Sequence, residues 1–513
     1  MNDTTGDISL WIERHAGFYP GRTAIRFQGQ AVSYADLANG IERAAAMLSG
    51  ELGLRRGDRI AWLGGNHPDM LGLLFAAARC GLMLVPVNWR LAPPEIGFIL
   101  RDAGVKVLFA QHQLAAALGH EAVPEDCRLV LADADDGRTP NLYDLIAAAG
   151  DAPGHDGTPD DPVLIVYTSG TTGRPKGAVL SQRALECNAA NAVHAHDLTA
   201  RDHVLAVLPM FHVGGLNIQT TPALKVGASV TLHDRFDPGA FLAAVAADQP
   251  TLTVLVPVAI SAVLAHPAWG ATDVSSLRAV VTGSMVVPVD LIQAFHARGV
   301  PVIQIYGSTE TAPIAIYQRI PEAYDSIGSI GRAGLHTQVR VVDRMGDDVG
   351  PGVAGEVLVR GEHVAGGYWN DPEGTAKAFP GGWFRSGDIA EYDAQGRFWF
   401  KDRIKNVIIS GGENIYPAEV ERVLRELPGI RECQVIGRLD ARWGMVPVAA
   451  VVADAGLTRE VVLAHFDGKL ARFKHPRDVV FLAELPRNAM GKVKLDELAR
   501  IVEHAASGTP EGP

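Results

Sequence analysis

A loop of small hydroxyl residues and glycines that ends in one lysine carries the clearest chemical signal in this chain. From Tyr167 the sequence continues Thr-Ser-Gly-Thr-Thr-Gly-Arg-Pro-Lys-Gly, and it follows the apolar run Val163 to Val166, which predicts a buried strand. Glycines let backbone N–H groups approach an anion closely, and hydroxyl groups add further donors. We therefore predict that this segment binds a polyphosphate through Thr168, Ser169, Gly170, Thr171, Thr172 and Lys176.

The residues after the lysine separate this loop from a Walker A loop. The Walker motif requires Gly-x-x-x-x-Gly-Lys-Ser/Thr leading into a helix. Here Lys176 precedes Gly177 and a second apolar run, Ala178 to Leu180. A flexible linker is the structural alternative, because Gly, Ser and Thr are also common in linkers. A linker needs neither the lysine nor the flanking strand, so phosphate binding is the favoured interpretation.

The elements that must position this loop form an α/β pattern. Short apolar strands alternate with helices from about Ile25 to Leu131, and again from Val204 to Ile305, which predicts two doubly wound, mostly parallel sheets. After Ser326 the sequence becomes rich in glycine and β-forming residues, which indicates a small β-rich subdomain. From Asp402 to the end it predicts a compact α+β domain.

Bulk composition excludes several classes of partner. The chain has 513 residues and a net charge of −12, which argues against nucleic acid as the main partner. Its longest apolar stretch, Leu71 to Val87, is interrupted by Arg79, Gly81 and Pro86, so we expect no transmembrane segment. The polar, acidic beginning does not match a secretory signal, and we expect a cytoplasmic protein.

Together with the phosphate loop, further segments resemble, in the same order, the motifs of the adenylate-forming enzymes. This superfamily includes acyl-CoA synthetases, luciferases and the adenylation domains of peptide synthetases. The matching segments are Leu208 to Gly215, Thr282 to Met285, Tyr306 to Glu310, Trp383 to Asp388, Lys401 to Lys405, Ser410 to Ile415 and Leu485 to Lys494. Relatives often carry Gly-Gly-Ala at the second segment, so the floor of the pocket differs here. They often have Thr where this chain has Asn488, which is a mild change.

The resemblance implies a role for one or more residues of each segment. In the first part of the pattern, His212 lies against the acyl group, and Ser284 and Gly307 line the adenine and acyl pockets. Tyr306 packs against the purine, Thr309 reaches the α-phosphate and Glu310 binds Mg²⁺. Later in the chain, Asp388 and Arg403 contact the ribose, Gly411 and Gly412 lie near the pantetheine channel, and Lys492 is catalytic.

The resemblance also implies a domain division and an activity. Residues 1–401 would form an N-terminal AMP-binding domain and 402–513 a small mobile domain, with a hinge near Asp402. The expected reaction is an ATP-dependent, Mg²⁺-dependent ligation of a small-molecule carboxylic acid to coenzyme A, through an acyl-adenylate; a homodimer is compatible with it. We expect an aryl or hydroxycinnamic acid, or a medium-to-long-chain fatty acid. Asn217 to Gln219 and Ser284 favour the aryl acids, because they offer partners to a ring hydroxyl.

Three alternatives remain at this stage. An amino-acid adenylation domain would carry a carboxylate soon after His212, and none is present before Leu216. A luciferase-like oxygenase shares every motif. The residues His233 and Asp237 also match the His-x-x-x-Asp pattern of CoA acyltransferases, which is short enough to occur by chance.

Overall fold

The computed structural model describes residues 7–134, 136–168, 175–283, 287–410, 413–440, 443–467, 469–470, 472–488 and 491–507. Two compact units divide the chain. The first contains the residues up to Val339, with Leu358–Ser386 and Gly396–Phe398; the second contains Arg340–Val357, Gly387–Gln395 and the residues from Trp399 onward. Each unit has hydrophobic clusters of its own.

The helices of the first unit begin and end at residues that suit helix termini. Ser33 accepts a hydrogen bond from the backbone N–H of Asp36 and so caps α2, and proline is the first residue of five helices. The helices are α1 (Leu10–Phe18), α2 (Tyr34–Ala46), α3 (Pro68–Cys80), α4 (Pro93–Ala103), α5 (His112–Leu118), α6 (Leu142–Ala148), α7 (Gln182–His196), α8 (Val213–Asn217), α9 (Thr220–Val226), α10 (Pro238–Asp248), α11 (Pro257–Ala265), α12 (Val289–His296) and α13 (Pro372–Ala378).

The strands of the first unit are short and mostly apolar, as expected for sheets covered on both faces. They are β1 (Thr23–Phe27), β2 (Gln30–Ser33), β3 (Arg59–Leu63), β4 (Met83–Pro86), β5 (Val105–Ala110), β6 (Arg128–Leu131), β7 (Pro162–Thr168), β8 (Lys176–Ser181), β9 (His203–Ala206), β10 (Ser229–Leu232), β11 (Leu252–Val254), β12 (Ala279–Gly283), β13 (Val302–Tyr306), β14 (Ile316–Tyr317) and β15 (Arg332–Ala333).

These strands form two large sheets. One has the order β6-β5-β3-β4-β7-β8 and is parallel except for the β7–β8 pair. The other has the order β15-β14-β13-β12-β11-β9-β10-β1-β2 and is parallel from β13 to β1. The α/β fold class with two sheets is therefore confirmed, and the strand predicted at Val163 to Val166 lies within β7.

A four-stranded sheet follows, in the order β16 (Gln338–Val342), β17 (Gly355–Arg360), β18 (Phe384–Tyr392) and β19 (Phe398–Arg403). Its residues are divided between the two units. The sequence indicated this β-rich region but missed β18, because the glycine in Arg-Ser-Gly-Asp interrupts its apolar alternation.

The second unit is an α+β domain. Its further strands are β20 (Ile408–Ser410), β21 (Glu413–Ile415), β22 (Ile430–Asp440), β23 (Gly444–Ala453) and β24 (Asp478–Phe481), and its helices are α14 (Pro417–Arg425), α15 (Arg459–Ala464) and α16 (Leu495–Ser507). One face of α14 is buried: Val420, Val423 and Leu424 pack with Phe466 and Val479. Of the helices in the described ranges, none has the length and apolar character needed to cross a bilayer.

We predict that Gly307→Ala destabilises the fold at the end of β13. A Cβ atom at this position would lie 1.8 Å from the carbonyl oxygen of Pro313, so the backbone must move. Overpacking of this kind lowers the free energy of unfolding by about 1–3 kcal/mol. Urea unfolding followed by circular dichroism measures the effect. Gly270→Ala is the control, because its Cβ would meet nothing within 4 Å; equal losses in both variants would contradict the prediction.

Candidate active site

The two ends of the predicted phosphate loop are held by an antiparallel pair of strands. Thr168, the last residue of β7, is opposite Lys176, the first residue of β8, and its Oγ1 lies 3.4 Å from the carbonyl oxygen of Lys176. A strand and not a helix therefore follows the lysine, which agrees with the distinction from a Walker loop. Ser169, Gly170, Thr171 and Thr172 lie outside the described residues.

Lys176 directs its ammonium group at two residues that the sequence analysis did not select. Its Nζ lies 2.8 Å from Oδ2 of Asp371 and 4.9 Å from the centroid of the Tyr368 ring. The ion pair lowers the pKa of Asp371, with a backbone hydrogen bond from Gly374 acting in the same direction. The phosphate-loop lysine is thus paired with a carboxylate in this structure.

The segment after β13 brings the predicted nucleotide residues together. Tyr306 is the last residue of β13, and Thr309 and Glu310 lie in the short 3₁₀ turn that follows. Such carboxyl ends of parallel strands are the usual ligand-binding edge of open α/β sheets. Gly307 lets the chain turn closely past Pro313, at a point where the Cβ of any other residue would meet the carbonyl oxygen of that proline.

Glu310 is buried, with 9% of its surface exposed, and its carboxylate is oriented by an aromatic hydroxyl. Tyr368 donates a hydrogen bond to Oε1 of Glu310 at 2.8 Å. Burial raises the pKa of Tyr368, and the charge of Glu310 raises it further, so the hydroxyl remains a donor. The backbone N–H of Ala365 also donates to the carbonyl oxygen of Glu310, at 2.8 Å.

A single carboxylate is a suitable protein ligand for Mg²⁺ that also binds phosphates. Mg²⁺ commonly keeps several waters and takes one or two carboxylates together with substrate phosphate oxygens. Among the described residues no group of three or more His, Cys, Asp or Glu side chains is arranged to hold a metal. Glu310 fits the role in which the nucleotide supplies the other ligands.

His212 immediately precedes α8 and is half-buried, with its ring centroid 4.6 Å from that of Phe211. Close packing requires a glycine at position 215, because a Cβ atom there would lie 2.3 Å from the carbonyl oxygen of Pro209. The segment from Leu208 to Gly215 is therefore folded tightly at the end of β9.

A small cavity lies beside this segment, with a volume of about 10 Å³. Its lining residues are apolar or uncharged: Val204 to Leu208, Gly214, Gly215, Gln219, Thr220 and Val254. Gln219 is only 2% exposed, and both polar atoms of its amide lack a hydrogen-bond partner within the described part of the chain. A buried amide of this kind is an unusual feature, because buried polar groups are normally paired.

The end of β12 approaches β13 closely. A Cβ at Gly283 would lie 2.3 Å from the carbonyl oxygen of Ile305, and the preceding Thr282 is fully buried. The Thr282 hydroxyl has no hydrogen-bond partner among the residues that the structure describes. Ser284, the predicted pocket residue, lies outside the described residues.

In the second unit, the structure pairs the two residues predicted to contact ribose. Asp388 lies on β18 and is 5% exposed, and its Oδ1 is 3.1 Å from Nε of Arg403 at the end of β19. A carboxylate held by a guanidinium group keeps further acceptor capacity, which suits recognition of vicinal hydroxyl groups.

Lys492 lies in a turn that is tied to the rest of the second unit. Its backbone N–H donates to Oδ1 of Asn488 at 3.0 Å, and Arg487 pairs with Glu432. Lys492 is exposed to solvent, but partial desolvation of its ammonium group lowers its pKa. The charges of Arg403 and Lys405 lower it further, whereas Asp388 opposes them.

Asp402, the predicted hinge residue, has a buried carboxylate that binds three later residues of the chain. It accepts hydrogen bonds from the backbone N–H groups of Arg403 and Ala418 and from Nδ2 of Asn406. Ala418 lies in the first turn of α14, so Asp402 satisfies one of the free N–H groups of that helix. Burial raises the pKa of Asp402, and these hydrogen bonds oppose the shift. Gly411 and Gly412 lie outside the described residues.

The acyltransferase alternative receives no support from the geometry of its two residues. Asp237 accepts a hydrogen bond from the backbone N–H of Ala240 at 2.7 Å and so caps α10. Burial lowers the pKa of His233. The spacing of these residues is explained by a strand that leads into a capped helix.

Comparison with known proteins identifies the family. The model of the AMP-binding enzyme family matches residues 12–369, and that of the AMP-binding enzyme C-terminal domain matches residues 419–492. An indoleacetate–CoA ligase of Aromatoleum aromaticum is 48% identical, covering 97% of this chain and 98% of that protein. A feruloyl-CoA synthase of Amycolatopsis sp is 40% identical, covering 96% and 98%.

A solved structure agrees with these relatives. The anthranilate CoA ligase AuaEII in complex with anthranoyl-AMP has a TM-score of 0.89 and 27% sequence identity, covering 98% of both chains. The order of the motifs, the fold and the family models lead to the same conclusion: this chain belongs to the AMP-binding enzyme family.

Proposed function

We propose that this enzyme, an AMP-forming acid–CoA ligase, activates an aromatic carboxylic acid whose ring carries a hydrogen-bonding group. Its relatives at 48% and 40% identity are named for indoleacetate and for ferulate. The first acid has an indole N–H and the second a phenolic hydroxyl. Both are flat, mostly apolar molecules with a polar atom at a distance from the carboxylate.

The observation that supports this proposal most directly is the buried amide of Gln219, which has no hydrogen-bond partner among the residues that the structure describes. A buried polar group left without a partner costs about 1–3 kcal/mol, which a ligand with a matching donor or acceptor recovers. The cavity beside it, of about 10 Å³, has room for about one polar atom. It has no charged lining residue, which disfavours a second carboxylate.

The first half-reaction brings two anions together, because a carboxylate attacks the α-phosphate of ATP. Catalysis therefore depends on positioning and on charge neutralisation, and needs no general base. Glu310 would hold Mg²⁺, which neutralises the phosphate oxygens when bound. Lys176 and the loop from Thr168 to Thr172 would bind the departing pyrophosphate, and Lys492 would contact the reacting carboxylate and phosphate oxygens. Thr309 and Tyr306 would orient the α-phosphate and the adenine.

The second half-reaction transfers the acyl group to the thiol of CoA. Lys492 is not needed for that step, so we propose that the C-terminal domain rotates near Asp402 and presents Gly411 and Gly412 instead. Hinges of this kind are a few residues at the ends of elements. Asp388 and Arg403 would hold the ribose, and His212 would lie beside the acyl group. The boundary at residue 402 is part of this proposal.

We predict that Gln219→Leu removes the preference for a polar ring. The wild-type enzyme should favour indole-3-acetate over 1-naphthylacetate, and 4-hydroxycinnamate over cinnamate, by about tenfold or more in kcat/KM, since a lost buried hydrogen bond has this effect. In the variant both ratios should approach one. Mass spectrometry of acyl-AMP without CoA, and of acyl-CoA with it, measures the rates.

Thr220→Val is the matched control, because Thr220 lines the same cavity but its hydroxyl is already bound to the carbonyl oxygen of Gly215. It should retain the wild-type ratios. If octanoate were activated orders of magnitude faster than every aromatic acid, the proposed substrate class would be wrong. Acyl-AMP that never became a thioester would contradict CoA as the acceptor. Unchanged ratios in Gln219→Leu would contradict the role of that amide alone.

We also predict that the rate of acyl-AMP formation decreases as the pH becomes alkaline. The decrease should begin at a lower pH than the ordinary pKa of a lysine would give. The folded pKa of Lys492 is lowered, so its ammonium charge is present below that pKa and is lost as the pH rises through it. Single-turnover acyl-AMP formation without CoA, measured against pH, shows the decrease.

Two substitutions at the same position control for other titrations. Lys492→Ala should lower acyl-AMP formation by about 10²–10³-fold, spare thioester formation from supplied acyl-AMP, and abolish the alkaline decrease. Lys492→Arg keeps its charge throughout this range and should also lack the decrease. An equal loss of both half-reactions in Lys492→Ala would argue against the assigned role.

A further inference from the structure

The chain before α13 pairs with β8 directly beside Lys176. Three backbone hydrogen bonds connect the two segments: Gly366 N–H to Val179, Val179 N–H to Gly367, and Trp369 N–H to Gly177, at 3.1, 3.0 and 2.7 Å. This pairing fixes the positions of Tyr368 and Asp371 relative to Lys176, at the end of the phosphate loop.

Asp371 uses its two carboxylate oxygens for different partners. Oδ1 accepts the backbone N–H of Gly374 at 2.8 Å and so caps α13, while Oδ2 lies 2.8 Å from Nζ of Lys176. Lys176 is the main cause of the lowered pKa of Asp371, and the charge is therefore present at neutral pH. A negative charge is held in one place by the helix cap and is turned toward the lysine.

The lysine is also in contact with the residue that orients Glu310. Nζ of Lys176 lies over the ring of Tyr368, whose hydroxyl donates to Glu310. A cation over an aromatic face is stabilised by the ring electrons. Lys176 is thus paired with a carboxylate and lies against the ring of Tyr368. The hydroxyl group of the same tyrosine contacts Glu310, the predicted Mg²⁺ ligand.

We propose that Asp371 is an internal counter-anion that competes with polyphosphate for Lys176. It holds the lysine over Tyr368 when no nucleotide is bound, and it weakens the retention of pyrophosphate once the acyl-adenylate has formed. This inference rests on the proposed role of Lys176 in phosphate binding. It assigns to Asp371 a positioning role and no contact with the reacting atoms.

The size of the effect follows from the exposure of the pair. The side chains are 26% and 33% exposed, so water screens the attraction and a polyanion can replace the carboxylate. Pairs of this kind change an equilibrium by about two- to fivefold. The attraction between Asp371 and Lys176 is therefore strong enough to favour the release of pyrophosphate and too weak to prevent the binding of a polyphosphate.

The test is isothermal titration calorimetry of Mg-pyrophosphate into the full-length enzyme and into Asp371→Asn. Asparagine removes the charge and remains a good helix cap, so α13 is preserved. We expect the Kd for Mg-pyrophosphate to fall about two- to fivefold, and pyrophosphate to become a correspondingly stronger inhibitor of acyl-AMP formation. An unchanged or increased Kd would overturn the proposal, since a mere helix cap or a supporting residue gives that result.

A second variant breaks the ion pair without changing any charge. A Cβ at Gly374 would lie 2.1 Å from Oδ2 of Asp371 and 2.5 Å from Nζ of Lys176, so Gly374→Ala must separate these atoms. It should also lower the Kd for Mg-pyrophosphate. Gly366→Ala is its control, because a Cβ there meets nothing within 4 Å. Identical affinities in these two variants would count against the counter-anion.

Lys176→Met separates failure of this inference from failure of the proposed function. It should weaken Mg-pyrophosphate binding by about tenfold or more, because a charge-assisted contact is lost. If it bound like the wild type, the phosphate role of Lys176 would be wrong and the counter-anion with it. If it bound weakly while Asp371→Asn matched the wild type, only the counter-anion would be overturned.

Discussion

Electrostatic repulsion between a carboxylate and a triphosphate is the constraint on which this structure depends. The chain as a whole carries a net charge of −12, so positive charge must be concentrated at chosen points. Two of the predicted cationic residues are already paired: Lys176 with Asp371 and Arg403 with Asp388. The charge of Asp388 also acts on Lys492. Internal carboxylates thus partly neutralise these cations.

Close backbone packing places these charges and their partners. Glycines at 283 and 307 let the ends of β12 and β13 approach neighbouring carbonyl groups more closely than any side chain permits. The same strand ends carry Tyr306 and lead directly to Glu310, whose carboxylate is then fixed by Tyr368. Parallel strands direct their carboxyl ends to one edge, so residues distant in sequence meet there.

The sequence predicted the fold well because the relevant signals are local. Alternating apolar strands and helices, and the proline and glycine residues at helix ends, are visible without any tertiary information. The order of the motifs then indicated the family. Tyr368 and Asp371 could not be selected in this way: the former resembles any half-buried aromatic residue and the latter an ordinary helix cap. Their importance arises from the pairing of residues 366–369 with β8, a contact across almost two hundred residues.

The hydrogen bonds of Asp402 restrict which bond can act as the swivel of the proposed domain rotation. Its carboxylate is bound to the N–H of the next residue and to the N–H of Ala418, so the side chain and the start of α14 form one rigid group. Rotation about the Cα–C bond of Asp402 would break these contacts. Rotation about the N–Cα bond of Asp402, or about the bonds of Lys401, would leave these contacts intact but would have to disrupt the pairing of β19, to which both residues belong. The α14 helix and the side chain of Asp402 would then rotate together as one unit.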